Sequence, residues 1–102
     1  MSYYVYILYS KKLDGYYVGS TENPESRLEQ HNTSGFHTFT SKYRPWSLAA
    51  VYLAGSTRGE AMKMERFIKK QKSKQFIERL LGPDYVLEGK LAQLVRVPKP
   101  RD

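Results

Sequence analysis

The chain has 102 residues, 40% of them hydrophobic and 26% charged, with no cysteine and a net charge of +7. Such a chain forms one domain around a single core, without a disulfide framework or a thiolate metal site. No apolar run approaches the ~18 residues of a membrane span. The first residues lack a basic stretch followed by a long apolar one, so no leader is expected and the expected compartment is the cytoplasm.

The first predicted element is a strand, "SYYVYILYS" (2–10), aromatic and β-branched on both faces as a buried central strand requires. "YYVGS" (16–20) is the return strand, and Asp14-Gly15 carries the hairpin signal. A helix then starts, with Asn23 as N-cap, Pro24 in the first helical position and Glu25 at the positive helix end. It is expected to run to about Asn32. Residues 33–45, rich in Ser, Thr and Gly and closed by a proline, read as a loop. "WSLAAVYLAG" (46–55) is the third strand. Thr57-Arg58-Gly59-Glu60 has the form of a capping box and opens a second helix to about Gln71 or Lys72. Ser73 recaps the chain into "KQFIERLL", which Gly82-Pro83 stops.

This order, β-β-α-β-α-α, predicts an α+β fold in which a small antiparallel sheet is flanked by helices. Residues 1–82 form the expected domain. Residues 83–102, with Pro98 and Pro100, are expected to be a partly flexible C-terminal appendage with one short ordered piece.

The charge is not spread evenly. Between residues 63 and 79, Lys63, Arg66, Lys69, Lys70, Lys72, Lys74 and Arg79 stand against only Glu65 and Glu78. A solvated helix face explains this density, and so does a surface that meets phosphates, where each contact releases counterions.

Three groups have chemical potential. On the second helix, advancing about 100° per residue, the apolar arc runs Phe67, Met64, Ile68, Ala61, Met62. Glu65 falls between Ala61 and Met62, so its carboxylate is either paired with Lys69 one turn on or kept for a task. Arg27 and His31 are four apart and share a helix face. The tyrosines depend on register. A two-residue loop at Asp14-Gly15 pairs Tyr17 with Lys12 and leaves Tyr6 roughly 20 Å down the strand. A four-residue loop, Lys11 to Asp14, pairs Ser10 with Gly15, Leu8 with Tyr17 and Tyr6 with Gly19. Tyr6 and Tyr17 then become diagonal neighbours about 7 Å apart on one face, with open space beside Tyr6 at Gly19. We take the second register. His31 and His37 lack the helical spacing of a zinc pair, and no Ser/His/Asp signature, Gly-rich phosphate loop or dinucleotide fingerprint is present.

Taken together, Tyr4-Val5-Tyr6, Tyr17-Val18-Gly19, "SRLEQHN" with Arg27 and His31, and "EAMKMERFIKK" with Glu65 resemble the GIY-YIG nuclease domain. The likeness covers about residues 2 to 80 and is closest to the small stand-alone bacterial members. Tyr4 stands where the motif's first glycine is expected. The resemblance implies a three-stranded antiparallel sheet flanked by helices and metal-dependent cleavage of DNA phosphodiesters, in repair or recombination. It implies Glu65 as the single protein ligand of a Mg²⁺ or Mn²⁺ ion, a hard cation that keeps several waters. Arg27 then stabilises charge on the phosphoryl oxygens, and Tyr6 and Tyr17 position the attacking water. His31 is a competing base or the acceptor of a tyrosine proton. Lys69, Lys70 and Lys72, with Lys42 and Arg44 on the loop, are expected phosphate contacts. The expected partners are DNA, branched or damaged, and a protein that supplies specificity. The other reading is a DNA-binding module of the same fold, catalytically weak or inactive.

Overall fold

A computed structural model describes residues 2–33 and 39–97. Four strands form one sheet in the order β2-β1-β3-β4, every neighbouring pair antiparallel. They are β1 (Tyr3–Ser10), β2 (Gly15–Thr21), β3 (Trp46–Gly55) and β4 (Val95–Val97). The helices are α1 (Pro24–Thr33), α2 (Arg58–Lys70) and α3 (Lys74–Leu81), and short 3₁₀ turns cover Thr40–Tyr43 and Gly89–Gln93.

β1 lies in the interior of the sheet, and Val5, Tyr6, Ile7 and Leu8 are all 0% exposed. Adjacent residues buried on opposite faces require cover on both sides, which is why this strand is apolar throughout. One face carries Val5, Ile7, Val18 and Tyr52 against Ala61, Met64 and Ile68 of α2 and Leu80 of α3. The other carries Tyr6, Leu8, Trp46 and Val51 against Leu28 of α1 and Tyr43.

Local signals set the element ends. Asp14 closes the four-residue loop in the left-handed region at φ 51°, a conformation that aspartate tolerates. Its N–H donates to the Lys11 carbonyl at 3.2 Å. The Asn23 side chain accepts from the Ser26 N–H at 3.1 Å. At α2 both halves of the Thr57–Glu60 capping box form, and the Ser73 hydroxyl accepts from the Phe76 N–H at the start of α3. Each such cap stabilises its helix by ~1 kcal/mol.

The expected three-stranded sheet is corrected to four strands. The added strand comes from the segment expected to be an appendage, where Val51 pairs with Val97 and Leu53 with Val95. Ahead of it Leu91 and Leu94 enter the core. A three-residue strand followed by proline has too little length to announce itself; its pairing is decided by the open edge of β3. Residues 34–38 and 98–102, which include His37, Pro98 and Pro100, lie outside the described residues. Among the described residues no helix is long and apolar enough to cross a membrane.

Candidate active site

The hairpin takes the four-residue loop, with Ser10 opposite Gly15, Leu8 opposite Tyr17 and Tyr6 opposite Gly19. Tyr6 and Tyr17 therefore share a face, their ring centroids 6.5 Å apart. The space expected to stay open at Gly19 is filled by the Tyr6 ring itself. A Cβ built on Gly19 would meet the Tyr6 hydroxyl, with the ring carbons Cζ and Cε1 at 2.5 and 2.8 Å. Gly19→Ala is thus expected to destabilise the fold by about 1–3 kcal/mol through overpacking, and to push Tyr6 out of position. A thermal melt unchanged from wild type would show that Tyr6 moves aside freely.

The helix α1 brings Arg27 and His31 onto this face. His31 Nε2 lies 3.0 Å from the Tyr6 hydroxyl and Nδ1 lies 3.0 Å from Thr40 Oγ1, so both ring nitrogens are engaged. The Arg27 guanidinium lies close enough to the same phenol for its charge to act on it. The Tyr17 ring stands edge-on to His31 at 4.9 Å and to Trp46 at 6.2 Å. The end of α1 is clamped to β3: Asn32 Nδ2 donates to the Trp46 carbonyl at 3.0 Å, and Asn32 Oδ1 accepts the Trp46 N–H at 2.7 Å. Arg44 Nε donates to the His31 carbonyl at 2.6 Å.

Burial raises the Tyr6 pKa above its ordinary value; Arg27 opposes the shift, while Tyr17 and Glu65 add to it. Tyr6, a phenol already protonated at neutral pH, is held further from ionising. Burial also lowers the His31 pKa, helped by the charges of Arg27 and Arg44, so the imidazole is neutral. An NMR titration is expected to place His31 below the free value of about 6.5. The sign for stability follows. The unfolded chain binds this proton at higher pH than the native one, so the contribution is fully present above pH ~6.5 and is lost as pH falls towards the native value. A His31 that titrates at or above 6.5 would contradict this.

Glu65 approaches from the other face, around the β2 edge. Its Oε1 accepts from the Ser20 hydroxyl at 2.6 Å and its Oε2 pairs with Lys69 Nζ at 2.7 Å. Lys69 also stands 5.3 Å over the Tyr17 ring, which links the carboxylate to the tyrosine cluster. Met62, expected inside the apolar arc, is 39% exposed; the buried stripe is Ala61, Met64 and Ile68, with Glu65 at its margin. Among the described residues no three His, Asp or Glu side chains gather as a metal cage. A Mg²⁺-type ion does not require one, because it keeps waters and takes one or two carboxylates plus phosphate oxygens. The Glu65 carboxylate, with the Ser20 hydroxyl beside it, fits that donor set.

The expected phosphate contacts separate. Lys42 is exposed on the 3₁₀ turn and Lys72 is exposed beyond α2. Lys69 is engaged with Glu65, Arg44 with the His31 carbonyl, and Lys70 lines a cleft on another flank of α2. Sequence reading missed Ser20, Thr40, Asn32 and Trp46. Asn32 and Trp46 flank predicted elements, but nothing in the chain pairs them. Thr40 lies in a stretch that reads only as loop.

The chain belongs to the GIY-YIG catalytic domain family, whose model matches residues 2–78, the endonuclease class that its motifs resemble. Within that class it is 33% identical over 81 residues to a structure-specific endonuclease subunit slx1 of Pyrenophora tritici-repentis, covering 76% of this chain and 22% of that protein. It is 34% identical over 84 residues to the SLX1 subunit of Candida glabrata, covering 68% of this chain and 27% of the other. The Aspergillus terreus slx1 subunit is 38% identical over 68 residues, covering 62% and 17%. The chain spans about a fifth of the length of the first of these curated relatives.

Proposed function

We propose that this chain is an endonuclease that hydrolyses DNA phosphodiester bonds, with a Mg²⁺ or Mn²⁺ ion held by Glu65. The observation that carries the reading is the relay on one face: the buried Tyr6 phenol 3.0 Å from His31 Nε2, with the Arg27 charge beside it. In the neutral tautomer that leaves Nε2 unprotonated, the phenol donates its proton to His31 Nε2. The opposite nitrogen, Nδ1–H, then donates to Thr40. An attacking water gives its proton to Tyr6 while Tyr6 passes its own to neutral His31. The water oxygen bonds to phosphorus, and the bond to the departing sugar oxygen breaks with its electron pair on that oxygen, which takes a proton from solvent. Arg27 stabilises the added charge on the phosphoryl oxygens, and Tyr17 walls the site and orients the water. When bound, the ion polarises the scissile phosphate and steadies the leaving oxygen. Lys42 and Lys72 hold the DNA backbone; Arg44 serves the site by fixing the end of α1.

Relatives named structure-specific endonuclease subunits support a branched DNA substrate and a partner chain that supplies specificity. A role in repair or recombination follows from such a substrate. The second reading, a DNA-binding module without turnover, is favoured by one observation: Lys69 already neutralises Glu65. Supercoiled plasmid and four-way or flapped DNA separate the two. Nicking with Mg²⁺ or Mn²⁺ and none in EDTA supports the nuclease. No cleavage of any substrate, with salt-sensitive binding retained, supports the module.

A further inference from the structure

A second basic feature lies away from this site. Between α2 and the Gly89–Gln93 turn a cleft of about 720 Å³ is lined by Lys63, Arg66, Lys70 and Lys90, with Met64 and Phe67 on its floor. That volume falls within the roughly 300–1,000 Å³ of small-ligand sites. At about 100° per residue, Lys63, Arg66, Phe67 and Lys70 lie roughly 100–200° around the helix from Glu65, so the cleft is on a different flank of α2 from the proposed catalytic carboxylate.

Its chemistry is one-sided. No Asp or Glu lines the cleft. Among the described residues the ion pairs are Glu65–Lys69 and Asp14–Lys74, so none of the four cations has a carboxylate at ion-pair distance. Lys90 Nζ sits 5.7 Å over the Phe67 ring, so a lysine side chain, not the core, covers this aromatic face. Four cations held together without a counter-charge repel one another, and a polyanion relieves that. A flat duplex backbone would meet the rim alone. A concave floor with an aromatic face suits an unpaired base, which stacks on any such ring while its phosphates meet the surrounding cations.

We infer that this cleft is a single-strand site, seating one or two unpaired nucleotides of the DNA with a base on Phe67 and the flanking phosphates on Lys63, Arg66, Lys70 and Lys90. In the bound state Lys90 leaves the ring for a phosphate. The inference rests on the nuclease reading in one respect, that the ligand is DNA. It goes beyond that reading by giving the domain its own contact for the unpaired strand of a branched substrate.

The test uses the full chain in EDTA, so that binding is read apart from cleavage. In ¹⁵N NMR, adding (dT)₄ is expected to shift the amides of residues 63–70 and 89–93, whereas inorganic phosphate at equal charge shifts them much less. Equal shifts with phosphate would reduce the cleft to a simple anion site and overturn the nucleotide assignment. Shifts confined to the surroundings of Tyr17, Arg27 and His31 would overturn it as well. By fluorescence anisotropy with labelled (dT)₁₂, the double variant Arg66→Glu/Lys90→Glu is expected to bind at least tenfold more weakly. Its log K against log salt slope should fall by about 1.4, at roughly 0.7 per phosphate contact on single strands. Phe67→Leu, which keeps an apolar side chain against the core, should weaken binding with the salt slope unchanged. Wild-type affinity in the folded double variant, or tighter binding of a Glu-rich peptide than of (dT)₁₂, would sink the inference. A chain that cuts no DNA yet shows the cleft shifts would remove the nuclease reading and leave the cleft standing.

Discussion

Glu65→Gln is expected to lower metal-dependent cleavage by about a thousandfold, the scale seen when one charge-stabilising group is removed from an active site. Glutamine keeps the shape and can still accept from Ser20 Oγ, so the loss isolates the negative charge. Stability should change little. The Glu65–Lys69 pair lies at the surface, with the two side chains 19% and 45% exposed, and exposed pairs of this kind contribute about 0–1 kcal/mol. A melting curve close to wild type beside absent cleavage is therefore the expected pattern. Lys69→Met complements it. Lys69 competes for the same carboxylate at 2.7 Å, so its removal should tighten Mn²⁺ binding several-fold by calorimetry, without DNA present. Cleavage that survives Glu65→Gln would place the ion elsewhere. Unchanged Mn²⁺ affinity in Lys69→Met would show that the lysine does not guard the site.

Arg27→Ala is expected to cost about 10²–10³-fold in cleavage rate, because a cation aimed at developing phosphoryl charge is lost. It should also leave a signature that a purely structural residue would not. Arg27 lowers the pKa of both Tyr6 and His31, so both should rise in the variant. His31 must be neutral to accept the Tyr6 proton, and a higher pKa moves the acid limb of the pH–rate profile to higher pH. Arg27→Lys should restore the charge effect on His31 and only part of the rate, since an ammonium lacks the planar fork of guanidinium. A rate loss with an unmoved acid limb would mean that Arg27 binds substrate and does not tune the relay.

Much of this molecule is written in short segments. The interior position of β1 follows from a strand apolar on both faces, and the start of α1 from Asn23-Pro24. The start of α2 follows from a capping box whose four residues need only one another. The hairpin register is a matter of two alternatives, and it alone puts Tyr6 beside Tyr17. For the candidate site, the i,i+4 spacing puts Arg27 and His31 on one face before any tertiary contact exists. The placement of Glu65 at the margin of an apolar stripe is legible in the same way.

What the chain could not announce depends on residues far apart in sequence meeting in space. Val95–Val97 is a strand only because β3 offers an open edge, and Leu91 and Leu94 are core only because that pairing draws them in. Thr40 meets His31, Ser20 meets Glu65, and Asn32 grips Trp46, each across a distance that no local period encodes. The protonation of the relay belongs to the same class. Burial lowers the His31 pKa and raises that of Tyr6, and such burial is created by packing and has no local sequence signature. By itself, then, the sequence determined which elements form and which side chains share a face, because caps, turns and periodicity act over a few residues. Only the tertiary structure decided the fourth strand, the partners that hold each site group, and the two flanks of α2 on which Lys69 and Lys70 part company.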